Sequence, residues 1–187
     1  MAASRHALAR AARILRGGGV VAHPTEGVFG LAADAFDAAA VARILALKGR
    51  DPAAGFIVLL PDLRWLDALS TLAEDAPARA TMLESWPGPE TWIVPAREGL
   101  PEWLTGGRDT LAVRSSAHPV AAALPALLGR PVVSTSANPS GLRPALDAQR
   151  VRRYFDGDVD LVLGGRPPRP GHPTRIRDAA TGAILRG

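Results

Sequence analysis

The stretch Phe56-Ile57-Val58-Leu59-Leu60 is a continuous apolar run between Gly55 and Pro61. A short run that is apolar at every position, rather than at alternate ones, is typical of a strand buried on both faces of a sheet. It therefore predicts a central strand. Similar short runs occur on either side of it, at Val20–Ala22 and Pro131–Val133.

Helical spacing and helix-capping residues predict helices between these strands. The predicted helices are Ser4–Arg16, helices capped by Asp37, Asp62 and Asp75, Ala117–Leu128 and Asp147–Tyr154. Further strands are predicted at Thr91–Val94, Thr110–Val113 and Val159–Leu163, with short ones near Ile176 and Ile184. Alternating strands and helices predict an α/β fold. The short connection between the Thr91 and Thr110 strands predicts an antiparallel pair, hence a mixed sheet. The length of 187 residues fits a single domain over residues 1–187.

The composition excludes several classes of protein. The chain has no cysteine, which excludes disulfides, thiolate zinc sites, iron–sulfur clusters and a cysteine nucleophile. Its four histidines include no His-x-x-x-His pair, so no built metal site is expected. No apolar run approaches the roughly 20 residues that span a bilayer, and a cytoplasmic, membrane-free protein is expected.

Charge is distributed unevenly along the chain. Residues 1–142 hold 13 basic and 13 acidic side chains, whereas residues 143–187 hold nine basic and five acidic ones. This local excess suits a polyanionic ligand, either phosphate groups or RNA, and a solvated basic surface explains it equally well. Lys48 is the only lysine among 22 basic residues. Because lysine presents a compact point charge, it is a candidate for a specific role.

Polar loop segments follow several of the predicted elements. They are His23–Gly27, Lys48–Arg50, the end of Thr110–Arg114, and Ser134–Asn138. In open α/β sheets ligands bind beyond the carboxyl ends of strands, so these segments are expected to converge there. Each has a simpler explanation, since Lys48 could complement a helix dipole and Ser134–Asn138 could be a turn. P-loop, dinucleotide-binding and nucleophile-elbow motifs are absent from the sequence.

Taken together, the motifs resemble those of the YrdC-like family. The resemblance rests on His23–Leu31, Leu47–Arg50, Trp86–Thr91, Leu111–Arg114 with His118-Pro119, Ser134–Asn138 and Pro173–Asp178, in the family's order and spacing. It implies a twisted mixed α/β sheet flanked by helices around a basic cavity. It also indicates the short bacterial form, which lacks the extra C-terminal domain of longer relatives.

The activity that the resemblance implies is threonylcarbamoyl-AMP synthesis from L-threonine, bicarbonate or CO2, and ATP, with Mg²⁺ carried by the nucleotide. The product serves N6-threonylcarbamoyladenosine formation at position 37 of tRNAs that read codons beginning with A. A downstream tRNA threonylcarbamoyl-transferase complex is the implied partner, and weak contact with RNA is left open.

The resemblance also implies roles for individual residues. Lys48 and Arg50 are the implied catalytic residues that hold the triphosphate. The other implied ATP contacts are Thr110, Ser136, Asn138 and Arg143. The implied threonine contacts are Thr25, Gly27, Arg114, Ser134 and Thr174, with Arg114 clamping the carboxylate. Gly27 and Leu59 depart from the threonine and histidine of many long-form relatives, and Leu59 becomes a candidate wall for the substrate methyl group.

Two other functions remain alternatives at this point. One is an RNA-binding or ribosome-maturation module without catalysis, but such a module should interleave aromatic with basic residues. Aromatic residues make up only 5% of the chain. The other, weaker alternative is a maturation factor that uses carbamoyl phosphate.

Overall fold

The computed structural model describes residues 3–172 and 174–186, so Pro173 of the C-terminal motif lies outside the described residues. The helices are α1 (Arg5–Arg16), α2 (Ala38–Lys48), α3 (Arg64–Leu69), α4 (Pro77–Glu84), α5 (Glu102–Thr105), α6 (Pro119–Leu128) and α7 (Ala148–Phe155). The strands are β1 (Val21–Pro24), β2 (Phe29–Asp34), β3 (Ile57–Leu59), β4 (Glu90–Pro95), β5 (Thr110–Arg114), β6 (Val132–Ser136), β7 (Leu161–Val162), β8 (Arg175–Asp178) and β9 (Ile184–Arg186).

The strands form one mixed sheet in the order β7-β1-β2-β6-β3-β5-β4-β8-β9. The central strand β3 runs parallel to β5 and antiparallel to β6. Strands β4 and β5 pair antiparallel, which confirms the prediction of a mixed sheet. Among the described residues, no helix is long and apolar enough to cross a membrane.

Alternate residues of the central strands pack into two separate cores, one on each face of the sheet. Val58 and Val133 belong to the larger core, which contains residues of α2, α3 and α7. Leu59 and Val132 belong to a smaller core that they form with α1 and α6. Because α1 and α6 cover only part of their face, the same face is free to carry a cavity elsewhere.

One connection, which we call the crossing segment (residues 163–172), links the two sides of the sheet. It follows β7 at one edge and leads towards β8, which lies next to the opposite edge strand. Its last third is hydrogen-bonded to the turn between β1 and β2: Arg169 N donates to Glu26 O (3.0 Å) and Gly171 N to Gly27 O (2.9 Å). The segment is therefore attached to that turn on its way between the two sides of the sheet.

Most predicted caps and boundaries agree with the structure. Ser4, Asp37 and Asp147 each accept a hydrogen bond from a backbone N–H in the first turn of their helices. The expected cap at Asp75 is wrong, because α4 begins at Pro77 with no side-chain cap. Strand β2 is an addition to the predicted elements, since the sequence analysis assigns no element between Gly27 and the helix capped by Asp37.

Candidate active site

A cavity of about 910 Å³ lies on the same face of the sheet as α1 and α6, in the part that these helices leave uncovered. Its lining is strongly basic. Among the described residues, the lining contains one carboxylate, Asp147, and six arginines: Arg50, Arg108, Arg114, Arg143, Arg150 and Arg186. A concentration of positive charge in a partly enclosed space attracts multiply charged anions. The cavity is therefore a candidate site for such a ligand.

Strand β5 runs along the cavity. Its alternate residues Thr110, Ala112 and Arg114 line the cavity, while Leu111 and Val113 point into the larger core. With about 3.3 Å of rise per residue, Thr110 and Arg114 lie about 13 Å apart along the strand. The cavity thus has two ends, which we name the Thr110 end and the Arg114 end.

Residues of all four polar segments line one cavity, as expected, but the cavity extends across the sheet face. The expected location beyond the carboxyl ends of strands is wrong. The reason is the mixed sheet. Ala112 and Ser134 both pair with Ile57, but β5 and β6 run in opposite directions. Their carboxyl ends, Arg114 and Ser136, therefore lie towards opposite ends of the cavity.

At the Arg114 end, two buried charges form an ion pair. Arg114 Nη2 lies 3.1 Å from Glu26 Oε2, and the side chains are only 4% and 8% exposed. Arg114 Nη1 donates to Thr174 Oγ1 (3.1 Å), whereas its buried Nε has no hydrogen-bond partner. Arg114 also lines the cavity, so its guanidinium keeps unused hydrogen-bonding capacity beside the space that an anion would occupy.

Glu26 connects this arginine to the start of α6. Its Oε1 accepts hydrogen bonds from Ser116 Oγ (2.6 Å) and from the backbone N–H of Ala117 (3.0 Å). Burial opposes its negative charge, but Arg114 and these donors outweigh burial and lower the pKa of Glu26. The carboxylate is therefore ionised at neutral pH and holds Arg114 in a fixed orientation.

The crossing segment explains the glycine at position 27. A Cβ at this position would clash with the carbonyl oxygen of His172, which packs directly against Gly27. Gly27 also accepts the hydrogen bond from Gly171. The segment therefore closes over the place that a longer side chain would occupy, and His172 and Gly171 join Gly27 in the cavity lining.

Arg50 lies at the Thr110 end. Its Nη2 donates to Gly55 O (3.0 Å) and its guanidinium lies over the ring of Phe56, 5.6 Å from the ring centroid. Its Nε is buried without a hydrogen-bond partner, and burial lowers its pKa. This end therefore has an oriented, incompletely paired cation that suits an anionic ligand.

Lys48 is not among the cavity-lining residues. It is 3% exposed, and its Nζ donates to the backbone oxygens of Ser136 and Asn138, the latter at 2.7 Å. Burial, together with the nearby Arg50, lowers the pKa of Lys48 to about 8. In this structure the lysine fastens the end of α2 to the loop after β6.

The other residues implicated by the motifs divide between lining and support. Those that line the cavity are Thr25, Thr110, Ser134, Ser136, Arg143 and Thr174. Asn138 supports the loop instead, since its Nδ2 donates to Pro139 O (3.0 Å) and Leu142 O (2.8 Å). His118 caps α6, accepting from Val120 N (3.2 Å).

Leu59 does not form a wall of the cavity, so that expectation is wrong. It is 1% exposed and packs in the smaller core with residues of α1 and α6. Apolar surface in the cavity comes instead from Ile57, Ala112 and Ile176.

Several lining residues were not singled out from the sequence: Arg108, Arg150, Tyr154, His172 and Arg186. The excess of arginine after residue 142 pointed to Arg150 and Arg186 as a group. Charge alone could not show which of those arginines face the cavity.

His23 lies beneath the lining and makes folding sensitive to acid. It is fully buried, with Nε2 3.5 Å from Ser134 Oγ, and burial lowers its pKa from 6.5 to about 4. Between these two pH values the unfolded chain binds a proton that the folded chain does not. The free energy of unfolding should therefore fall as pH drops from 6.5 towards 4, by about 3 kcal/mol in total.

Urea unfolding at pH 7 and pH 4.5 measures this dependence. We expect His23→Gln to reduce the difference between the two pH values, while the exposed His6→Gln leaves it unchanged. Equal pH dependence in both variants would contradict the assignment of acid sensitivity to His23.

The fold and cavity define a class of protein: a mixed α/β sheet that carries a large arginine-lined cavity. The Sua5/YciO/YrdC family, described as "Telomere recombination", matches residues 13–187. The chain belongs to this family.

Close relatives carry one name. The chain is 50% identical to the threonylcarbamoyl-AMP synthase of Halorhodospira halophila, covering 97% of this chain and 93% of that protein. It is 49% identical to the threonylcarbamoyl-AMP synthase of Nitrosococcus oceani, covering 94% and 95%. Among solved structures, P. abyssi Sua5 complexed with L-threonine superposes with a TM-score of 0.87 at 37% identity. That match covers 96% of this chain but only 53% of Sua5.

Proposed function

We propose that the protein is a threonylcarbamoyl-AMP synthase, an enzyme of the nucleotidyltransferase class. Its relatives at about half identity carry this name over nearly their whole length, and the matching Sua5 structure holds L-threonine. The observation that carries the proposal is the division of one basic cavity into two ends with different chemistry. One end suits a small carboxylate and the other suits phosphates.

The reaction has two steps. The amine of threonine combines with bicarbonate or CO2 to give an N-carboxylated threonine, and a carbamate oxygen then attacks the α-phosphorus of ATP. Pyrophosphate leaves and threonylcarbamoyl-AMP remains. Neither step requires a covalent enzyme intermediate, so the work of the protein is positioning and charge stabilisation.

Threonine binds at the Arg114 end in this proposal. Glu26 fixes the orientation of Arg114, and the guanidinium holds the threonine carboxylate through its unpaired edge. Thr174 and the Thr25–Gly27 turn line the same end, and Ser134 borders it from the middle of the cavity floor. The crossing segment covers this pocket and limits the access of water to the carbamate.

ATP occupies the Thr110 end, where Arg50, Ser136 and Arg143 face the triphosphate. Lys48 and Asn138 act from behind, because they fix the loop that presents Ser136. This arrangement places the α-phosphate between the two ends, near the floor formed by Ala112 and Ser134. Catalysis then depends on holding the carbamate of N-carboxylated threonine next to the α-phosphate of ATP.

Mg²⁺ enters with the nucleotide in this proposal, coordinated mainly by phosphate oxygens and water. The described residues contain no group of three histidine or acidic side chains that could hold a metal ion. The one carboxylate of the described lining, Asp147, already accepts a hydrogen bond from Arg150 N (2.7 Å). When bound, the ion would neutralise charge on the leaving pyrophosphate.

We further propose that residues 1–187 act as one domain in the cytoplasm and supply the product to a downstream tRNA threonylcarbamoyl-transferase complex. An RNA-binding module without catalysis is less well supported. Besides the imidazole of His172, the described lining holds two aromatic rings, those of Phe56 and Tyr154. Arg50 already lies over Phe56, which leaves few free faces for stacked bases.

The direct test is pyrophosphate release by the purified protein with ATP, L-threonine and bicarbonate, omitting each in turn. We expect release only when all three are present. Release that depends on ATP alone, or on carbamoyl phosphate in place of threonine and bicarbonate, would refute the proposal.

Selectivity for threonine over serine should be modest. The two amino acids differ by one methyl group, and the apolar lining at Ile57, Ala112 and Ile176 can recognise it only by burial. Discrimination of this kind is limited to about 10- to 200-fold in kcat/KM. Pyrophosphate release with each amino acid measures the ratio. A preference beyond about a thousandfold would require a steric or hydrogen-bonding filter that this lining lacks.

A further inference from the structure

Arg186, on the last strand, reaches the Arg114 end of the cavity. Strand β9 pairs antiparallel with β8 at the sheet edge, and Arg186 is a lining residue. Its Nη2 donates to Thr174 O (3.3 Å), while Arg114 Nη1 donates to Oγ1 of the same threonine (3.1 Å). The two guanidinium groups are therefore held by two oxygen atoms of one residue.

The two cations are compensated unequally. Arg114 is paired with Glu26 at 3.1 Å, whereas no described carboxylate lies within ion-pair distance of Arg186. Burial lowers the pKa of Arg114, Glu26 raises it, and the positive charge of Arg186 lowers it again. Two neighbouring guanidinium groups and the single carboxylate of Glu26, which pairs with Arg114, leave a net positive charge among these described groups, which an anion would balance.

The first step of the proposed reaction increases negative charge at this place. Threonine enters as a zwitterion with no net charge. When its nitrogen forms a bond to the carbon of CO2, one C=O electron pair moves onto oxygen and two protons leave the original ammonium group for solvent. The product carries two carboxylates and a net charge of −2.

We propose that Arg186 binds the new carboxylate of N-carboxylated threonine, while Arg114 holds its α-carboxylate. This inference rests on the proposed function and adds a residue to it. Thr174 sets the spacing between the two guanidinium groups, so the pair recognises a dianion whose carboxylates are separated by two atoms. Arg186 thereby favours carbamate formation and keeps the carbamate in place for attack on ATP.

Binding of a stable dianion tests this role without requiring turnover. In 2-(1-hydroxyethyl)butanedioate, a CH2 group replaces the nitrogen of N-carboxylated threonine and both carboxylates remain. Calorimetric titrations would compare this analogue with L-threonine. We expect Arg186→Gln to weaken the analogue at least tenfold and threonine less than threefold, with Arg186→Lys intermediate for the analogue.

Leu185→Gln is the matched control, because Leu185 lies on the same short strand and is exposed. It should leave both affinities unchanged, and thermal unfolding should show that all variants are folded. Equal weakening of both ligands by Arg186→Gln, or no weakening of either, would overturn the inference. So would a wild-type protein that binds threonine but not the analogue.

Steady-state kinetics distinguish a failure of this inference from a failure of the proposed function on which it rests. Arg186→Gln should raise the KM for bicarbonate at least tenfold and change the KM for ATP less than twofold. If the wild-type protein bound neither threonine nor the analogue and released no pyrophosphate, the proposed function itself would fail. If the wild type were active and Arg186→Gln altered only the KM for ATP, only the role of Arg186 would fail.

Discussion

Lys48→Met and Arg50→Ala should each remove most synthase activity while leaving the protein folded. Arg50 points into the Thr110 end of the cavity, and Lys48 holds the backbone oxygens of Ser136 and Asn138. Loss of an oriented charge in a site of this kind costs about 2–4 kcal/mol in the transition state. The expected loss of kcat/KM is therefore about 30- to 1,000-fold.

Pyrophosphate release at saturating threonine and bicarbonate measures this loss, and circular dichroism measures folding. Arg97→Ala is the matched control, because Arg97 also donates to backbone oxygens, those of Asp67 (2.8 Å) and Ser70 (3.3 Å), but is not a lining residue. It should retain activity. If the kcat/KM values of Lys48→Met and Arg50→Ala both stayed within about threefold of wild type, the assignment of ATP to the Thr110 end would be wrong.

Arg114→Lys should raise the KM for threonine by about 10- to 100-fold and change the KM for ATP much less. Lysine keeps the positive charge beside Glu26, so the buried carboxylate does not lose its counterion. It lacks the planar fork that can contact Glu26, Thr174 and a substrate carboxylate at once. A specific loss of threonine affinity follows from this geometry.

Steady-state kinetics with each substrate varied in turn test this expectation. Arg108→Lys is a suitable comparison, because Arg108 lines the opposite end and donates to Ala53 O (2.8 Å). It should leave the KM for threonine unchanged. If Arg114→Lys changed only the KM for ATP, Arg114 would be assigned to ATP binding instead of threonine binding.

The sequence was most informative where a residue has one local role. Asp37 and Asp147 could be predicted as helix caps because capping needs only a nearby backbone N–H. Strand β2 was missed because Gly30 and its alanine neighbours are weak strand formers. They suit this strand because the backbone packs closely: a Cβ at Gly30 would lie 3.1 Å from both His23 Nε2 and Ser134 Oγ.

The candidate site was less predictable because it depends on long-range geometry. A motif shows that Lys48 follows a helix, but it does not show that the side chain turns beneath the loop after β6 instead of into the cavity. Arg186 and Glu26 reach Arg114 only after the sheet has brought distant strands together. No local pattern in the sequence contains that information.

The crossing segment has a consequence for how the protein folds. Strand β7, before it, pairs with β1, and β8, after it, pairs with β4 on the far side of the sheet. These pairings join residues far apart in sequence, and such contacts form slowly because a long loop must close first. Residues from Leu161 onward also leave the ribosome late. The Arg114 end of the cavity should therefore form last during synthesis, after the Thr110 end has assembled.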